Sequence, residues 1–157
     1  MRAAALIVGA LLLSACATFA RQGEPIDFST VDRGTHSGIE QAGCCVIQTN
    51  EQFAALWAEL YRTRHPEPPM PVVDFDHEVV VAVFQGRQPS GGYAVEVQAV
   101  RRIGRRAVVH VAQTVPEPGD MVTMALTAPY HVVRFTRPES GVIFCGSPAG
   151  QGGEPAF

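Results

Sequence analysis

The chain has 157 residues, enough for one domain with a proper core and too few for two of ordinary size. Apolar residues make up 46% and charged residues 17%, which excludes a disordered polar chain. Twelve arginines, no lysine and fifteen acids leave a charge of −3, so there is no basic excess of the kind that marks a nucleic-acid-binding protein.

Met1-Arg2 is a short positive segment, and Ala3 to Leu13 is an apolar run of eleven residues. Such a run cannot span ~30 Å of hydrocarbon as a helix, so residues 1–15 read as a signal peptide. Leu13-Ser14-Ala15-Cys16 resembles the lipobox of bacterial lipoproteins. There the cysteine thiol receives a diacylglycerol, the chain is cut before it, and the new amine is acylated. The resemblance implies lipidation at Cys16, a membrane partner through that lipid, and residence in the bacterial cell envelope. Ala17 after the cysteine implies the outer membrane, facing the periplasm, in a source with two membranes. Each buried methylene contributes ~0.8 kcal/mol, so two or three acyl chains anchor stably.

Residues 16–26 show no periodicity and read as a tether. Export makes Cys44, Cys45 and Cys145 disulfide candidates. Two sequence neighbours cannot both pair with Cys145. A bridge from one of them would close a loop of about a hundred residues, worth up to ~4.7 kcal/mol in a chain-entropy account. The alternatives are a strained Cys44–Cys45 bridge or three thiols. No CxxC or His–Cys spacing accompanies them, so no metal site is read there.

Asp27 to Gly43 is mixed, with turn chemistry at Asp32-Arg33-Gly34 and Ser37-Gly38. Cys44 to Gln48 is a short strand candidate. Thr49-Asn50-Glu51-Gln52 has the form of a capping box, and Phe53, Leu56, Trp57, Leu60 and Tyr61 follow as one helical stripe. Pro66, Pro68, Pro69 and Pro71 end the helix and force an extended connector. Glu78 to Phe84 is a continuous apolar run, the mark of a strand buried on both faces. Gly91–Val100 and Ala107–Val115 alternate as strands around an arginine-rich hairpin at Arg101, Arg102, Arg105 and Arg106. Met121–Thr127, Tyr130–Phe135 and Gly141–Cys145 complete the expected strands. One helix on a mostly antiparallel sheet, or small sandwich, of about six strands predicts an α+β domain over residues 27–145. Residues 146–157 read as a loose tail.

Catalytic patterns are sparse. Gly146-Ser147-Pro148-Ala149-Gly150 lacks the spacing of a nucleophile elbow, and the five histidines form no His-Glu-x-x-His. Asp74-Phe75-Asp76-His77 reads as a solvated lead-in to a strand, since in an extended chain His77 points away from both aspartates. His110 reads as a half-buried imidazole, Cys145 as a weak candidate for thiol catalysis because no sequence neighbour would lower its pKa, and the arginines as a solvated turn with a minor option of headgroup contact.

The central motifs form a set. Phe84-Gln85-Gly86 follows a valine strand, then come Pro89-Ser90-Gly91-Gly92-Tyr93-Ala94-Val95, Val115-Pro116-Glu117-Pro118-Gly119-Asp120 and Ala125-Leu126-Thr127-Ala128-Pro129-Tyr130-His131. In this order and spacing the chain resembles the C-terminal domain of the PrcB family, strongly over about 79–133. The resemblance implies a non-catalytic exported domain, without a cofactor, whose partner is an exported protease or another envelope protein. The expected partner-binding residues are Pro89, Ser90, Gly91, Gly92 and Tyr93 with Pro129 and Tyr130, the two turns presenting their tyrosines. Pro-Ser-Gly-Gly-Tyr is also similar to the inhibitory loop of chagasin-type inhibitors of cysteine proteases, though no tryptophan follows the tyrosine. Protease inhibition and a structural envelope role are therefore the alternative readings.

Overall fold

The computed structural model describes residues 23–146. Cys16, the expected signal peptide, most of the expected tether and the segment from Ser147 lie outside them. The elements in chain order are β1 (Glu24–Pro25), β2 (Phe28–Gly34), β3 (Ala42–Ile47), α1 (Asn50–Leu60), β4 (Glu78–Gln85), β5 (Ala94–Ile103), β6 (Arg106–Thr114), β7 (Tyr130–Thr136) and β8 (Val142–Cys145). They form two four-stranded sheets, β1-β5-β6-β8 and β2-β7-β4-β3. Every pairing is antiparallel except β6 with β8. The fold is α+β and mostly sheet.

β4 explains the layering. Its even-numbered residues Val80, Ala82 and Phe84 pack toward α1, and its odd-numbered Val79, Val81 and Val83 pack toward the other sheet. A central strand covered on both faces needs apolar side chains on both, hence the unbroken run. The helix forms where the capping box predicts. Thr49 Oγ1 accepts from Gln52 N–H at 3.2 Å, and Gln52 Oε1 accepts from Gln48 N–H at 2.8 Å. Phe53, Leu56, Trp57 and Leu60 are buried on one face. The proline connector closes over that face, where Pro68 carbonyl accepts from Trp57 Nε1–H at 2.9 Å.

Three sequence-based expectations change. Glu24–Pro25 pairs with Arg102 and Arg101 and Ile26 is buried, so residues 24–26 belong to the first sheet and not to the tether. Phe28–Gly34 is a strand despite its turn-like composition, bulged between Thr30 and Asp32 against β7. Met121–Thr127 is not a strand: its exposed apolar side chains have no sheet to pack against, and only Thr127 makes an isolated bridge, to Gln88. Among the described residues no helix is long and apolar enough to cross a membrane.

The expected cysteine bridge is not formed. Cys44 packs with the core between the sheets and Cys45 with the core under the helix. In β8, Val142 and Phe144 face the inter-sheet core, so alternation turns Cys145 to the outer face, in register with His110. Cys45 is buried and its thiol is pushed up to about 12, first by burial and then by the neighbouring Cys44. That makes it a poor nucleophile.

Candidate functional site

Two connections meet at one end of the β5–β6 hairpin: residues 86–93 between β4 and β5, and residues 115–129 between β6 and β7. Backbone bonds lace them together. Gln88 and Thr127 exchange N–H···O bonds of 2.7 and 3.1 Å, Gly91 N–H donates to Thr123 O at 2.9 Å, and Gln85 N–H donates to Pro129 O at 3.0 Å. Thr127 Oγ1 donates to Ser90 O at 2.8 Å. Gln85, itself buried, donates from Nε2 to Thr114 O at 3.0 Å and so ties the two strand ends below the loops.

The glycine pair has a steric reason. A Cβ on Gly91 would sit 2.4 Å from Thr123 Oγ1, and one on Gly92 would sit 2.8 Å from Val122 Cγ1. Gly92 also has φ +84°, a conformation side-chain-bearing residues rarely adopt. The first loop is therefore held against the second and does not stand free as a wedge. Of the seven large hydrophobic side chains exposed among the described residues, four lie on the second loop: Val115, Met121, Met124 and Leu126. Met121 and Met124 are as open as side chains can be, at 103% and 92%. Clustered exposed apolar groups are the unusual observation on a protein surface, and flexible methionines suit adaptable contacts.

The expected site residues divide. Pro89 and Gly92 are exposed, while Ser90, Gly91 and Tyr93 are half-buried beside the second loop. Pro129 and Tyr130 are buried. Tyr130 OH donates to Asp32 Oδ2 at 2.9 Å, and Tyr61 OH, which follows the last turn of α1, donates to the same oxygen. Burial, then hydrogen bonding within this cluster, holds both phenols above their ordinary pKa. Tyr130 is thus a core residue that fastens β7 to β2 and the helix end, and the reading of it as a presented anchor is corrected. Alternation along β7 with the bulge in β2 brings this about; no local motif announces it.

The neighbouring His131 carries no site signal in the sequence. It is 2% exposed. Its Nδ1 accepts from Val97 N–H at 3.0 Å, which leaves the ring proton on Nε2, 2.9 Å from Thr30 Oγ1. The ring spans from one sheet to the other at the bulge of β5 between Val97 and Ala99. Desolvation, with Arg33 next, lowers its pKa and keeps it neutral.

Elsewhere a turn over residues 75–77 folds His77 back onto Asp74, Nδ1 to Oδ2 at 2.8 Å, where an extended chain would have separated them. Among the described residues no group of three His, Cys, Asp or Glu side chains is arranged to hold a metal ion.

Residues 79–136 match the family described as PrcB C-terminal. This segment is similar to a PrcB C-terminal domain. The match runs from the second residue of β4 to the end of β7 and contains both laced loops. No curated protein and no solved structure matched the chain. The PrcB segment also leaves out α1, β2 and β3, which supply Phe53, Leu56, Trp57, Tyr61 and Asp32 to its helix-facing side. Similarity to this family suggests association with a protease complex.

Proposed function

We propose that the chain is a non-catalytic envelope protein, lipid-anchored through Cys16, that assembles with or stabilises an exported protease. One observation carries this reading: the PrcB-like segment holds two interlocked loops, the second of which leaves Val115, Met121, Met124 and Leu126 in solvent. Burying a Val, Leu or Met side chain under a partner is worth ~1.5–3 kcal/mol, so four together form a useful contact. Pro89, Ser90, Gly91, Gly92 and Tyr93 form the rigid flank of that surface. The lipobox-like Leu13-Ser14-Ala15-Cys16 and Ala17 support cell-envelope residence, on the outer membrane facing the periplasm where two membranes exist.

The test is capture of the acylated protein from mildly solubilised membranes of its source, followed by peptidase assays of what co-purifies. Peptidase activity that co-purifies, and decays faster once the chain is stripped away, is the expected result. Competitive loss of activity when more of the chain is added back would replace this reading with inhibition through the glycine loop. Absence of any peptidase from the captured material would count against both.

A further inference from the structure

The β5–β6 hairpin has two unlike ends. At one lie the laced loops with Glu117 and Asp120; at the other, the turn Gly104-Arg105 gathers Arg101, Arg102, Arg105 and Arg106. Arg102, Arg105 and Arg106 are exposed. Among the described residues, Glu139 Oε2 accepts from Arg105 Nε at 2.9 Å, and Glu24 is in register with Arg102. The turn therefore keeps an excess of positive charge in a chain whose total is −3. Ten residues of β5 at ~3.3 Å each separate the two ends by about 33 Å.

The chain enters the fold at the arginine end. Glu24–Pro25 pairs with Arg102 and Arg101, and Arg101 Nη1 donates to Gly23 O at 3.3 Å. Gly23 is seven residues after Cys16, a reach of at most ~25 Å fully extended. A lipid on Cys16 thus confines this end to the neighbourhood of the bilayer. Arginine suits that place, since its planar fork pairs with phosphate oxygens and is weakly hydrated.

We propose that the arginine turn rests on the anionic phospholipid headgroups of the membrane that holds the Cys16 lipid, so that the laced loops point away from it toward a partner. This rests on the lipid-anchor reading and adds an orientation to it. The attraction acts within about 10 Å at 0.1 M salt, so it requires the short tether and weakens as salt rises. A domain standing on its basic end keeps Met121 and Met124, at the opposite end of the β5–β6 hairpin, clear of the headgroups.

The test uses the acylated protein in two vesicle types, phosphatidylglycerol with phosphatidylethanolamine, and phosphatidylcholine alone. Intact mass confirms acylation, and amide hydrogen exchange reads the contact. Exchange at residues 101–106 should slow several-fold in the anionic vesicles only, with residues 115–126 alike in both. The triple change Arg102→Gln, Arg105→Gln and Arg106→Gln should remove the difference while leaving the melting temperature in place. Acylated protein whose turn exchanges equally in both vesicles, or whose residues 115–126 are the ones protected, overturns the orientation and leaves the anchor standing. A mass without the lipid overturns the anchor and the orientation together.

Discussion

The two faces of the sheet β2-β7-β4-β3 are finished in different ways. Toward the other sheet, Val79, Val81, Val83 and Val133 meet Val95, Val97, Val109 and Val111, an aliphatic layer crossed by one imidazole, His131. Toward the helix, Phe53, Trp57 and Tyr61 stack in series, and the layer ends at two phenols sharing the Asp32 carboxylate. The inter-sheet layer is mostly built from the PrcB segment, whereas the helix-side layer depends on residues before it. The difference teaches that the PrcB segment is not a self-sufficient core: cut out alone, it exposes the apolar side of β4 and β7.

The largest effect is expected on the helix side. Phe53→Ala removes a fully buried ring that touches both Trp57 and Phe75, and should cost ~3–5 kcal/mol in chemical denaturation. A loss below about 1 kcal/mol would mean that the helix is dispensable to the PrcB segment. Next comes Asp32→Ala, which strands two phenol hydroxyls inside; each stranded group costs ~1–3 kcal/mol. Asp32→Asn keeps an acceptor and should recover part of that loss. An Asp32→Ala protein as stable as the parent would show that the phenols do not lock β2, β7 and the helix together.

The inter-sheet layer is addressed through pH. His131 has a lowered pKa when folded, so the unfolded chain takes up a proton first as pH falls. Its contribution is fully present above the unfolded value of about 6.5 and is lost as pH falls from there through the folded value. Protonated Nδ1 can no longer accept from Val97 N–H. Urea midpoints at pH 7.5 and 5 should therefore fall for the parent and differ less for His131→Gln. An equal fall in both would assign the acid sensitivity elsewhere. The smallest structural effect is expected of Ser90→Glu on the loop flank, within about 0.5 kcal/mol of the parent.

Sequence reasoning found what local chemistry encodes. The capping box, the helical stripe and the both-faces-buried β4 depend on neighbours within a few residues, and they stand where the pattern put them. β2 was missed because Asp32-Arg33-Gly34 reads as a turn, while its strand is imposed by pairing with β7 about a hundred residues later. Tyr93 and Tyr130 both follow turn residues and look alike in sequence; only the register of β7 against β2 and β4 puts Tyr130 inside with Asp32. The Gly-Gly turn was legible, but its close approach to Val122 and Thr123 was not, since that partner loop lies thirty residues away. Met121 to Leu126 read as a strand because alternating apolar residues normally signal burial, and here they are exposed instead.

The central claim is that the interlocked loops, and not the buried tyrosine cluster, meet the protease. The direct measurement is capture of that protease by the acylated protein carrying Met121→Asp and Met124→Asp, beside its melting temperature. Both side chains are fully in solvent, so the account predicts an unchanged melting temperature and at least a tenfold loss of capture, about 1.4 kcal/mol. A folded double variant that captures the protease as well as the parent would contradict it.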